Sequence, residues 1–322
     1  MQKYILQIIL SFLSVAAFAQ QPAQYSLHMF NRMAYNPAYA GMDNSLSMTG
    51  VFRKQWVDLA GSPTSQHVNV HAPLPFLSSG FGLTFQNDEL GAERNLGLTA
   101  AYNYQIPVGR SGILAIGVAG GIVQKNLNGA IIRTPDGSYT DGNVINHQDG
   151  LLPINEVAAT APNIEAGIYY KSERFEAGFA ARNLLEQEFA FPTFNPSALR
   201  AYFFNASANF DLTSTLSMQP SVFVKSDVLQ TQVDFSVLFQ YNDNISVGAS
   251  FRGYDANTSD ALALIGGFRL SEKVRLYYSY DVTLSGLNTV NTGSHEILVN
   301  YNLNKEFGEG VPPPIIYNPR DL

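Results

Sequence analysis

The sequence predicts an all-β fold, a transmembrane antiparallel up-and-down β-barrel of about fourteen strands. Three observations predict it. From Ser45 onward, segments of about ten residues alternate apolar and polar side chains, the period of a strand with a different environment on each face. The connections between these segments alternate as well, short polar turns with longer loops. Charged residues are only 14% of the chain, against roughly a quarter in soluble proteins, while Tyr and Phe number 17 and 21. A large soluble β-sandwich would share the alternation but calls for more surface charge.

Several segments show the pattern cleanly. Val233, Phe235, Val237, Phe239 and Tyr241 form one apolar face, opposite Gln232, Asp234, Ser236, Gln240 and the exception Leu238. Tyr202, Phe204, Ala206, Ala208 and Phe210 alternate with Asn205, Ser207 and Asn209, and Ile297, Val299, Tyr301 and Leu303 with Glu296, Asn300 and Asn302. Strands are expected near 46–56, 65–71, 79–87, 95–104, 112–126, 162–171, 175–183, 199–210, 216–226, 231–241, 245–254, 261–270, 274–281 and 295–303. Short connections at 172–174, 211–215, 242–244 and 271–273 mark the periplasmic end; 129–161, 184–198 and 282–294 are longer, with 227–230 an exception. Closure follows from physics, because an open sheet edge in lipid leaves backbone groups unpaired at several kcal/mol each. Tyr102, Tyr104, Tyr169, Tyr170, Tyr241, Tyr277 and Tyr278 are expected in an interfacial girdle.

Four regions follow in order. Residues 1–19 read as a secretory signal peptide, with Lys3, an apolar run from Tyr4 to Val15, and cleavage expected after Ala19. That run is shorter than the ~20 apolar residues that span hydrocarbon as a helix. Residues 20–44 are expected to form a periplasmic N-terminal segment or plug, 45–303 the barrel, and 304–322 a periplasmic tail, since Pro312-Pro313-Pro314 cannot lie in a strand. An even strand count leaves both termini in the periplasm and the protein in the outer membrane.

Composition excludes several kinds of chemistry. Cysteine is absent, which removes disulfides, thiolate catalysis, Cys-ligated zinc and a lipoprotein anchor. A net charge of -7 offers no electrostatic footprint for nucleic acid. His28, His67, His71, His147 and His295 form no ligand motif. His67 and His71 share a strand face with Asn69, yet four residues along a strand separate them by about 13 Å, too far for one metal. Ser294-His295-Glu296 resembles a triad by name only, because neighbours on a strand point to opposite faces. The stretch Asp136 to Asn143 has the wrong spacing for a calcium loop and reads as a surface turn within the longest connection. No cofactor, metal or catalytic residue is expected, and the chain is read as a non-enzyme. Arg53, Glu165, Arg182, Lys225, Asp234, Arg252, Arg275 and Asp281 fall on the polar side of their strands, where a lumen needs paired charges.

The segment before the first strand is too rich in apolar residues for a free linker. Tyr25-Ser26-Leu27-His28-Met29-Phe30-Asn31 and Tyr35-Asn36-Pro37-Ala38-Tyr39-Ala40-Gly41 resemble the N-terminal signature of the PorP/SprF family, outer-membrane proteins of the type IX secretion system in Bacteroidetes. Arg53, Gln55 and Trp56 before Gly61-Ser62-Pro63-Thr64, then Gly80-Phe81-Gly82, Asn87-Asp88 and Gly91, keep that family's order, and Tyr278-Ser279-Tyr280-Asp281, Ser285-Gly286-Leu287 and Gly293-Ser294-His295-Glu296 are similar to its closing motif. The resemblance implies a non-enzymatic barrel of type IX secretion or gliding motility, partnered by a periplasmic peptidoglycan-binding lipoprotein or a secreted surface adhesin and surrounded by outer-membrane lipid. A channel for small or hydrophobic solutes is the alternative, and an outer-membrane hydrolase a third reading. Tyr35, Asn36, Pro37, Tyr39 and Gly41 are the candidate partner-binding residues.

Overall fold

A computed structural model describes residues 23–109, 111–140, 144–227, 229–254 and 258–305. The expected leader and all of the expected tail from 306 onward lie outside the described residues. Fourteen strands build one sheet: β1 (Ser47–Lys54), β2 (Thr64–Leu74), β3 (Ser79–Leu90), β4 (Glu93–Val108), β5 (Gly112–Asn128), β6 (Glu156–Lys171), β7 (Phe175–Arg182), β8 (Ala201–Ala208), β9 (Leu216–Ser226), β10 (Thr231–Tyr241), β11 (Ile245–Arg252), β12 (Ala261–Arg269), β13 (Val274–Thr283) and β14 (Ser294–Asn302). Each pairs antiparallel with its sequence neighbours, and β14 pairs with β1, so the sheet closes and no strand is left as an edge. Backbone groups are thereby satisfied without water, as the hydrocarbon requires.

Each expected strand is present, and the alternation sorts the side chains as expected. Phe81, Leu83 and Phe85 point outward from β3, Ile116, Val118 and Ile122 from β5, and Phe235, Val237 and Phe239 from β10, all exposed on the lipid-facing wall. Arg53, Glu165, Lys225, Asp234, Arg252 and Asp281 are buried in the interior. Arg275 shares their parity but lies exposed near the rim of the short turns, where it lines a cavity.

Four strands contain proline, and in each case the sheet has made room for it. Pro73 lies beyond the end of β1 pairing at His71, Pro107 beyond β3 pairing at Tyr104, and Pro162 before β7 pairing starts at Ala166. Pro220 falls in the break between Ser221 of β9, paired with β8, and Met218, paired with the short continuation Phe210–Asp211. A proline cannot donate to a ladder, so it is tolerated where one neighbour is missing.

Two expectations are corrected. β6 begins at Glu156 rather than 162, shortening the long loop, because Ala159 and Ala161 pack beneath Phe189 and Phe191 of the 183–200 loop. Tyr169 and Tyr277 do not join a girdle: they are buried in the lumen, at 0% and 4% exposure, while Tyr102, Tyr104, Tyr241 and Tyr278 do face outward.

Leu83 is the middle of the three outward residues of β3, so Leu83→Arg is expected to cost about 2–4 kcal/mol of folding free energy in bilayers. Chemical unfolding of the reconstituted barrel measures it; a neutral result would mean that this face does not meet lipid.

Candidate functional site in the barrel lumen

Residues 23–46 run through the inside of the cylinder, from the long-loop rim, where Ala23 and Gln24 line the outer vestibule, to the start of β1 at the other rim. Three single 3-10 turns, His28–Phe30, Arg32–Ala34 and Pro37–Tyr39, shape the segment. The last follows directly from its residues. Asn36 accepts the Ala38 amide at 3.0 Å through Oδ1, Pro37 supplies the helical φ and needs no donor, and Gly41 exits with φ at +71°.

The barrel wall is carved to receive this turn. A Cβ on Gly41 would lie 2.7 Å from the Ala72 carbonyl oxygen, and one on Gly117 would lie 2.5 Å from the Ala38 backbone. Gly80 and Gly167 likewise leave no space for a side chain beside Ala40 and Asn36. Asn36 Nδ2 donates to the Ile168 and Phe179 carbonyls at 3.0 and 3.2 Å, joining β6 and β7, and Asn103 Nδ2 donates to the Ala38 and Ala40 carbonyls. The Gly41 amide donates to His71 Nδ1 at 3.1 Å. Tyr39 donates to Asp43 at 2.7 Å, and the Lys171 ammonium lies 3.7 Å from the same carboxylate oxygen.

The other end of the segment is held by charge. Ser26 donates its amide to Glu296 Oε2 and its hydroxyl to Asp281 Oδ2, both at 2.7 Å, and Leu27 donates its amide to Glu296 Oε1 at 3.1 Å. Arg53 bridges Asp281 at 2.7 Å and Glu296 at 3.0 Å, while Arg252 bridges Asp281 and Asp234, each at 3.2 Å. Both guanidinium groups also donate to the Ser26 hydroxyl, at 3.1 and 2.9 Å. In the middle, Arg32 Nε donates to Glu176 at 2.7 Å, and Arg182 donates to the Ala34 carbonyl at 2.6 Å. Between these anchors, Leu27, Met29 and Tyr35 pack against Phe203, Phe223, Leu238 and Leu298, the apolar exceptions on the inward side of the wall. Leu238, out of place on the polar face in sequence, is at home here.

The structure therefore brings all five candidate residues together, but inside the barrel. Tyr35, Asn36, Pro37, Tyr39 and Gly41 are buried against the wall, and none lies at the outer surface of a rim. His67 and His71 are taken up by Asn31, at 3.2 Å, and by Gly41. Asn103, Gly117 and Gly167 carry no sequence signal of their own, and Ser26 does so only as a member of the N-terminal motif; the partners of Ser26 and Asn103 lie 27 to 270 residues away, beyond any local pattern. Arg53, Asp281 and Glu296 carried a signal, as charges or motif members on strands.

A closed fourteen-strand cylinder with an apolar outside, a charged inside and an internal segment is a transmembrane barrel of the outer-membrane kind. The chain belongs to the PorP/SprF family of type IX secretion system membrane proteins, whose family model matches residues 17–301. No curated protein matches it. Among solved structures it is similar to Omp33 of Acinetobacter baumannii, at 8% identity over 80% of this chain and 97% of that one, with a TM-score of 0.47. It is also similar to the toluene transporter TbuX of Ralstonia pickettii, at 11% identity over 85% and 93% of the two chains and a TM-score of 0.49. Likenesses this loose carry no argument about what crosses or binds the barrel.

Two substitutions probe the arrangement. Arg53→Met leaves Asp281 and Glu296 short of a buried cation and is expected to cost about 3–5 kcal/mol in unfolding of the reconstituted barrel. Gly117→Val pushes a side chain into the Ala38 backbone, so trypsin should cut at Arg32 in the folded variant but not in the parent; equal resistance would show that the segment is held without this contact.

Proposed function

We propose that the chain is a non-enzymatic scaffold or attachment component of type IX protein secretion or gliding motility. Its partners are other secretion components and either a periplasmic peptidoglycan-binding lipoprotein or a secreted surface adhesin. The observation that supports this reading is the occupied lumen: the residues of the family-like signature occupy the middle of the cylinder and are fastened to Arg53, Asp281, Glu296, Asn103 and His71. A barrel filled in this way has its two rims to offer other molecules. At the cell-surface rim, Thr193 of one long loop donates to the Leu151 carbonyl of another at 2.6 Å, and Thr134, Tyr139 and His147 lock the longest loop on itself. Long loops on a rigid scaffold are suited to partner contacts. In this reading Tyr35, Asn36, Pro37, Tyr39 and Gly41 serve the partner by setting the shape of the periplasmic rim, to which Asp43 and Lys171 lead.

The channel alternative requires the internal segment to leave. In planar bilayers the intact barrel should be silent, and deletion of residues 21–41 should open a stable pore and abolish secretion. Mild crosslinking in native membranes should recover a type IX partner. A stable pore from the intact chain, with no secretion component recovered, would overturn the proposal; so would a deletion that leaves both assembly and secretion unchanged.

A further inference from the structure

Two cavities lie on either side of the internal segment. The outer vestibule, about 570 Å³, opens at the long-loop rim and is lined by Ser65 and Asp88 among others. The inner cavity, about 260 Å³, opens at the short-turn rim and is lined by Asn31, Asn69 and His71 among others. One strand connects them. Ser65, His67, Asn69 and His71 form a polar stripe down the lumenal face of β2, all buried, and His67 is the one member that lines neither cavity.

Around His67 the interior is not satisfied by protein atoms. His67 Nε2, the Tyr35 hydroxyl and Asn69 Oδ1 are buried without a hydrogen-bond partner, while the Tyr25 hydroxyl and the Asp88 carboxylate approach Ser65. The Tyr25 ring lies 6.1 Å from the His67 ring and 6.5 Å from that of Tyr35, so these three side chains form one neighbourhood. A buried polar group left dry is costly, and sites of this kind with several polar partners hold ordered water. The Tyr25 and Tyr35 rings pack in the apolar cluster of Phe203, Phe223 and Leu298, so it is their hydroxyls that add to the polar atoms here.

We infer that a single-file seam of water runs along β2 between the internal segment and the wall, joining the two cavities, so that the barrel passes water while excluding solutes. Ser65 and Asn69 are four residues apart on a strand, about 13 Å, a distance that on the order of four waters at hydrogen-bond spacing cover. Asp88 and Ser65 receive the file at the vestibule. Tyr25, Tyr35 and His67 carry it past the segment, and Asn69 delivers it to the inner cavity. The inference does not depend on which partner the rims engage.

Stopped-flow light scattering of proteoliposomes under a sucrose gradient tests it. Vesicles with the full-length folded barrel should shrink several-fold faster than protein-free vesicles. His67→Phe replaces the imidazole with an apolar ring, and its flux should fall to the protein-free rate while the barrel keeps its folded, heat-modifiable gel mobility. Should that variant not fold, Ser65→Leu closes the outer entrance and should give the same loss. A wild-type rate equal to that of protein-free vesicles overturns the inference, as does an unchanged flux in a folded variant. Glycerol should not enter faster than in protein-free vesicles; faster entry would refute the exclusion of solutes.

Discussion

A charge inside a membrane cylinder must be paired, because the hydrocarbon outside offers it no solvation and burial against the wall strips away most of its water. The rest of this structure depends on how that is done. Arg53 on β1, Asp234 on β10, Arg252 on β11, Asp281 on β13 and Glu296 on β14 lie on a contiguous arc of the wall, and their ion pairs fix that arc in register. Two arginines against three carboxylates leave acceptor capacity over. Ser26 and Leu27 supply the missing donors, with two backbone amides and a hydroxyl aimed at Asp281 and Glu296. The internal segment is thus the final partner of the charge network, and its path through the barrel begins from that requirement.

From this anchor the remaining geometry is steric. A turn of the form Asn-Pro-Ala-Tyr-Ala-Gly is compact, but it brings backbone against backbone, and that approach needs a wall without side chains. Gly80, Gly117 and Gly167 provide it on β3, β5 and β6. Where the wall does carry large inward side chains, Phe203, Phe223, Leu238 and Leu298, the segment presents Leu27, Met29 and Tyr35 to them. Wall and segment are complementary in two ways, small against backbone and apolar against apolar. The polar β2 face is a third kind of contact, one that protein atoms do not complete.

Most of the fold could be read from the chain because a transmembrane barrel imposes a local rule on each strand: apolar toward lipid, polar toward the interior. Val233 to Tyr241 shows this without reference to any neighbour. The rule fails where the environment is not the usual one. Tyr169 and Tyr277 look like girdle residues by type, but their parity turns them toward the segment, as ring partners for Tyr39 and Phe30. The start of β6 is not legible in the chain because residues 156–161 pair on one side only and are covered by a loop, a circumstance with no periodic signature.

For the candidate site the chain showed that Tyr35, Asn36, Pro37, Tyr39 and Gly41 are a constrained unit, since an Asn-Pro cap and a terminal glycine shape a turn by themselves. By itself the sequence also determined an approximate strand number, closure, and which side chains meet lipid, because each of these follows from period-2 alternation and the cost of an unpaired edge. Only the tertiary structure decided that the turn faces inward, that Ser26 completes a charge network 270 residues away on Glu296, and that the two cavities share one polar stripe. The physical reason is the same for all three. They depend on which strands meet across a closed lumen, and that is set by barrel circumference and register, quantities that no stretch of chain carries alone.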